Sequence, residues 1–194
     1  MAKKESTYFN MAFSLVMITL VTSTVLGYVY ELTKEPIAAA KLAKKIKAID
    51  QVVPEYDNHP VDDMYKLPVP DEKDSLEVYP AKKGDQAVGY AIRTFSHKGY
   101  SGDVWIMVGL LPDGAINNTQ VLEHKETPGL GSKMSDPKFK DQFNSKNPAD
   151  FSLTVKKDGG DVDALTGATI SSRAFSEAIQ TAYDAYSKGG KHDK

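Results

Sequence analysis

Asp163-Ala164-Leu165-Thr166-Gly167-Ala168-Thr169 runs straight into Ile170-Ser171-Ser172, which crowds hydroxyls at Thr166, Thr169, Ser171 and Ser172. Just beyond, Phe175, Ala178, Ile179, Ala182 and Tyr186 recur three, four or seven apart, the spacing of one helix face. A helix start offers N–H groups without partners and the positive end of the dipole, so hydroxyls gathered there suit a phosphate. Gly167 and Ala168 keep the approach narrow, and a bulky group could lie against the backbone. The same residues also serve as an ordinary Ser/Thr cap after a turn.

A second stretch with chemical potential is His124-Lys125-Glu126-Thr127-Pro128-Gly129-Leu130-Gly131-Ser132. Two glycines around Leu130, following a proline, make a tight loop whose backbone can approach a flat ligand. A plain strand-to-helix connection would use the same residues, since Ser135-Asp136-Pro137 suits the start of a following helix.

D-x-x-T-G-A-T resembles the flavinylation motif of the FMN-binding domain family, and E-T-P-G-L-G resembles the loop that lies by the flavin in that family. The family includes the G-type subunit of the ion-translocating electron-transport (Rnf) complex and the C-type subunit of the sodium-translocating NADH:quinone reductase. The resemblance implies one FMN per chain, joined through its phosphate to the Thr169 hydroxyl. A separate flavin transferase would recognise the turn formed by Thr166, Gly167 and Ala168, with Asp163 as the acidic lead. It further implies that Glu126, Thr127, Leu130 and Gly131 contact the FMN, while Ser171 joins them as a hydroxyl at the helix start. The Gly99-Tyr100-Ser101-Gly102 and Pro112-Asp113-Gly114 corners match as well, so the likeness covers most of the chain from the apolar N-terminal run to about Tyr186. The implied role is electron carriage within a redox-driven ion translocase, between ferredoxin and NAD, beside other membrane subunits of the Rnf complex. The short chain and its compact connection favour the G-type subunit over the C-type one. A membrane-anchored binding domain without cofactor is the reading of another class.

Composition narrows the chemistry. The chain has 194 residues and a formal net charge of -2, which gives no basic excess for nucleic acid. It has no cysteine, hence neither disulfides nor thiolate-held iron–sulfur clusters. Its four histidines are scattered, without metal-ligand spacing, so no metal is expected. No nucleophile–base pair, P-loop or dinucleotide fingerprint occurs, and no catalytic acid, base or nucleophile is assigned.

Other elements must position these residues. After an N-terminal tail (1–8), positions 9–30 carry no charge and span ~33 Å as a helix, enough for a bilayer core. Ser14, Thr19, Thr22, Ser23, Thr24 and Gly27 suit close packing on other membrane helices, with Tyr28 and Tyr30 at the interface. Lys34, Lys41, Lys44, Lys45 and Lys47 outnumber Lys3 and Lys4, and by that count the large domain lies in the cytoplasm. The resemblance implies instead a domain outside the cytoplasmic membrane, on the periplasmic side, and that orientation is the one expected. Residues 31–75 read as an amphipathic helix opened by Glu35-Pro36, with Leu42, Ile46, Ile49 and Val53 as its stripe, then an irregular acidic, proline-rich connection. The domain proper is expected at 76–187, before a flexible tail at 188–194. Its strands are expected at Leu76–Ala81, Ala87–Phe95, Val104–Leu111, Ile116–Glu123 and Phe151–Val155, with a short helix at Lys138–Phe143. The fold class is α+β: a single N-terminal transmembrane helix, then a twisted, mostly antiparallel sheet packed by helices.

Overall fold

The computed structural model describes residues 7–70, 72 and 74–189, so most of the two expected tails lies outside the described residues. The chain divides into two units between Ala43 and Lys44. From Tyr8 to that point the first unit is helix. Helix α1 as a whole runs Tyr8–Val52 and is long and apolar enough to cross a membrane. Its threonine hydroxyls are satisfied locally. Thr19, Thr22 and Thr24 donate to the carbonyls of Leu15, Ile18 and Leu20 at 3.0, 2.7 and 2.8 Å. That back-bonding suits a helix that cannot rely on water.

The expectation of a separate helix opening at Glu35-Pro36 is corrected: Pro36 lies inside α1. Proline removes one amide donor and crowds the preceding turn. Strong helix formers such as Ala38, Ala39, Ala40 and Leu42 follow it, and the helix carries on through the loss.

The second unit is a meander. Strands β1 (Tyr65–Pro68), β2 (Ser75–Lys83), β3 (Gln86–Ser96), β4 (Val104–Leu110) and β5 (Ile116–Glu123) lie side by side in chain order, every pair antiparallel. Alternation along β2 and β4 sends side chains to two different covers. Leu76, Val78, Ile106 and Val108 face the C-terminal helix α3 (Thr169–Gly189), which buries Phe175, Ala178, Ile179 and Ala182. Tyr79, Ala81, Met107 and Leu122 face Ala48, Ile49, Val52 and Val53. With both faces covered, β4 has no polar side chain, as the near-continuous apolar run at 104–111 requires. Each large aliphatic side chain so buried contributes roughly 1.5–3 kcal/mol.

The end of α1 is fastened by side chains as well as by packing. Asn117 and Asn118 of β5 donate their amides to the carbonyls of Val52 (2.8 Å) and Gln51 (3.0 Å), which have no partner within the helix. Lys44 donates to the Leu122 carbonyl, and Lys45 pairs with Glu77 at 2.8 Å. These two lysines therefore clasp the sheet, and the lysine face is not merely solvated. A Cβ at Gly109 would collide with the Val52 carbonyl, so glycine is needed for this close approach. Only the last turn of the expected stripe is buried: Leu42 and Ile46 are exposed, whereas Ile49 and Val53 are not.

Two further expectations change. β1 lies in the stretch read as irregular, where Tyr65 and Leu67 turn inward and Lys66 and Pro68 outward. Four residues among prolines give too short a pattern to stand out. Phe151–Val155 makes no strand, only a single bridge from Val155 to Val162. Its backbone is satisfied by a neighbouring loop: Lys156 N–H donates to the Val162 carbonyl (2.8 Å) and Val162 N–H to the Thr154 carbonyl (3.1 Å). The short helix is α2 (Pro137–Lys140), continued as a tighter 3₁₀ turn over Asp141–Phe143. Phe139, Phe143 and Phe175 meet there with ring centroids 5.3–5.7 Å apart.

Candidate functional site

The turn before α3 is closed from within. Ala168 N–H donates to the Leu165 carbonyl (3.0 Å), Leu165 N–H to Ser172 Oγ (2.9 Å), and the Ser172 hydroxyl to the Ala168 carbonyl (3.0 Å). Gly167 has φ +75°, a conformation that glycine adopts without strain. Arg173 holds the flanking 3₁₀ turn at Lys156–Asp158 through two bonds to Asp158, at 2.7 and 2.9 Å. That pairing keeps the Asp158 carboxyl below its ordinary range and the Arg173 guanidinium above.

A cleft of about 470 Å³ opens at this helix start, within the size range of cofactor sites. Three segments wall it: Tyr100 from the β3–β4 corner, Glu126 to Gly131 from the loop after β5, and Gly167 to Ser171. Of the residues singled out in the sequence, Glu126, Thr127, Leu130, Gly131, Gly167, Ala168, Thr169 and Ser171 line it together. Thr169 is half-buried on its lip. Asp163 and Thr166 line a separate recess with Lys133 and Lys138. Asp163 pairs with Lys156 (2.8 Å) and exchanges backbone bonds with the Gln142 side chain, so it fixes the approach to the turn.

Two further residues belong to the cleft. Tyr100 is 71% exposed and Ile170 44%, and with Leu130 they form an apolar rim. The glycine-flanked corner at 99–102 was the one available signal for Tyr100. Ile170 follows from the helical turn, which carries it out beside Thr169.

The cleft is braced by one carboxylate. Glu126 is buried; its Oε2 accepts from the Ser171 hydroxyl at 2.7 Å and its Oε1 from Ser101 N–H at 3.2 Å. Its own N–H donates to His124 Nδ1 (3.1 Å). A Cβ at Gly131 would lie 2.5 Å from both Oε2 and Ser171 Oγ, and one at Gly99 would lie 2.8 Å from Oε1. The absence of side chains at these two positions lets the three segments close on Glu126.

Residues 99–184 match the FMN-binding domain family. The chain is 36% identical over 177 residues to the G-type subunit of the ion-translocating oxidoreductase complex of Erwinia tasmaniensis, covering 86% of this chain and 84% of that one. It is 35% identical over 193 residues to the subunit of the same name from Aliivibrio fischeri, with 92% and 88% covered. The chain belongs to this family of G-type subunits. Among solved structures, the C-type subunit of the Na(+)-translocating NADH-quinone reductase from Parabacteroides distasonis is 23% identical with a TM-score of 0.45, over 60% of this chain and 62% of that one. Shewanella oneidensis NqrC is 21% identical with a TM-score of 0.47, over 64% and 70%. The matched family segment, 99–184, contains every residue of the cleft.

The residues present fit an FMN. A phosphate finds the start of a 21-residue helix, whose first N–H groups lack intrahelical partners, together with the Thr169 hydroxyl. A flat ring finds the apolar rim of Tyr100, Leu130 and Ile170.

Proposed function

We propose that this protein is the membrane-anchored flavoprotein subunit of an Rnf-type ion-translocating oxidoreductase complex, carrying electrons through one FMN joined covalently to Thr169. The observation that carries this reading is the position of Thr169, on the lip of the cleft and at the start of α3. Esterification there leaves one negative charge on the linkage, which the helix N-terminus favours. Bound FMN supplies the reversible uptake and release of electrons. The chain's own residues hold and shield it. The helix start and Thr169 fix the phosphate end, Glu126 and Ser171 keep the walls together, and Tyr100, Leu130 and Ile170 keep water from the ring. A tether suits a carrier working between fixed partners, because it holds the local concentration constant.

A flavin transferase would read Thr166, Gly167 and Ala168, with Asp163 leading. α1 would cross the cytoplasmic membrane beside other subunits of the complex, leaving the flavin domain outside the cytoplasm. This reading joins electron flow between ferredoxin and NAD to ion pumping.

The test is a denaturing gel of membranes from a host with a working flavin transferase, viewed for flavin fluorescence near 21.2 kDa. A fluorescent band in the wild type that is lost in Thr169→Ala is expected. Intact mass should exceed that of the bare polypeptide by one FMN residue, and fragmentation should put the addition on Thr169. A colourless wild-type chain of unmodified mass sinks the reading and favours a binding domain without cofactor.

A further inference from the structure

We propose that Glu126 is an uncompensated negative charge that lowers the electron affinity of the flavin, a role resting on the reading of the cleft as an FMN site. Glu126 is only 5% exposed, yet the groups that reach its carboxylate are neutral: the Ser171 hydroxyl and Ser101 N–H. Both donate, one to each oxygen, which is the pattern an ionised carboxylate accepts. Among the described residues, no arginine, lysine or histidine forms an ion pair with it, although Lys45, Lys98, Lys156 and Arg173 each pair with another acid. A buried anion left this way acts on its surroundings more strongly than a surface charge, because little water screens it.

The carboxylate fills the space that a side chain at Gly99 or Gly131 would take, and its two hydrogen bonds hold it there. The charge is therefore fixed in the wall of the cleft. Were FMN held in the cleft, electrons it took from a reductant would add negative charge near Glu126, and the reduced state would be disfavoured. The Ser171 hydroxyl damps this effect by donating to Oε2. Glu126 and Ser171 are thus positioning and tuning residues with opposite signs.

The experiment is a potentiometric titration of the full-length flavinylated protein in detergent, with dithionite as the reductant, mediators present and flavin absorbance as the readout. Glu126→Gln keeps the size and one acceptor but removes the charge, and its midpoint is expected to shift upward. Ser171→Ala leaves the charge less damped, and its midpoint is expected to shift downward. Ser171→Thr restores the hydroxyl and is expected to return it to the wild-type value. A fully loaded Glu126→Gln whose midpoint is unchanged or lower overturns the proposal. Should Glu126→Gln take up no flavin, the serine pair decides, and an unchanged or raised midpoint in Ser171→Ala overturns it. Loaded protein with an unmoved midpoint removes this proposal alone, whereas wild-type protein without FMN removes the reading of the cleft as well.

Discussion

Gly131→Ala isolates the packing of the cleft from its backbone conformation. The added methyl would sit 2.5 Å from Glu126 Oε2 and from Ser171 Oγ, where ordinary contact begins near 3.4 Å. Each oxygen must therefore recede by about 0.9 Å, and the 2.7 Å bond between them cannot survive the separation. Overpacking of this kind costs about 1–3 kcal/mol. Losing a hydrogen bond to a charged acceptor adds about 1.5–3 kcal/mol. The sum is about 2.5–6 kcal/mol, or a fall on the order of 10 °C in Tm for a unit of this size. Two residues away, Gly129 has φ +76° and nothing within 4 Å of a methyl added there. Gly129→Ala meets only backbone strain, about 1–2 kcal/mol. Thermal unfolding of the full chain in detergent, followed through the single tryptophan, Trp105, measures both. Adding Ser171→Ala to Gly131→Ala should recover about 1 kcal/mol, because one of the two clashing oxygens is gone. If Gly131→Ala proves milder than Gly129→Ala, the account of the cleft as closed around Glu126 is wrong.

Other substitutions probe the frame. Asn117→Ala should cost about 1–2 kcal/mol, since the Val52 carbonyl at the end of α1 loses its donor; chemical denaturation measures it, and a cost equal to that of an exposed surface alanine would refute the clasp. Phe175→Ala should cost about 3–5 kcal/mol in the same assay, because it empties a fully buried site against Phe139 and Phe143. His97 Nδ1–H donates to Asp103 Oδ1 at 2.8 Å, and Glu72 and Asp74 lie 3.7 and 3.8 Å from its other nitrogen. The bond to Asp103, then the charges of Asp103, Glu72 and Asp74, raise its pKa above the ordinary value of 6.5. A raised folded-state value means stability that is fully present below about pH 6.5 and is lost as pH climbs through the folded value. Unfolding midpoints of wild type between about pH 5.5 and 8.5 should decline more than those of His97→Gln, and parallel curves would refute the pairing.

How much of this was visible in the chain follows from the range of the forces involved. The α3 stripe is a local pattern, and Phe175, Ala178, Ile179 and Ala182 are indeed its buried face, while Tyr186 packs at the margin. The β2–β5 strands carry turn residues and alternation, and their observed ends lie within one or two residues of the expected ones. Phe151–Val155 has the look of a strand, but strands need an edge to pair with, and that partner is a matter of tertiary structure. Pro36 is a local breaker overruled by its neighbours. Glu126 could be picked out only through a motif. Its inward direction depends on missing side chains at Gly99 and Gly131 and on donors 25 residues before it and 45 after, which no window along the chain contains. Tyr100 and Ile170 escaped for the same reason, since a rim exists only once distant segments meet.

The two helices that cover the sheet come from opposite ends of the polypeptide. During synthesis, the face seated on the end of α1 can assemble while the rest is still being made. The other face waits for the last stretch, so a nascent chain ending before Thr169 has Leu76, Val78, Ile92, Ile106 and Val108 without a lid. Premature termination just before α3 thus uncovers the larger of the two hydrophobic clusters, and the remnant presents that apolar surface to solvent.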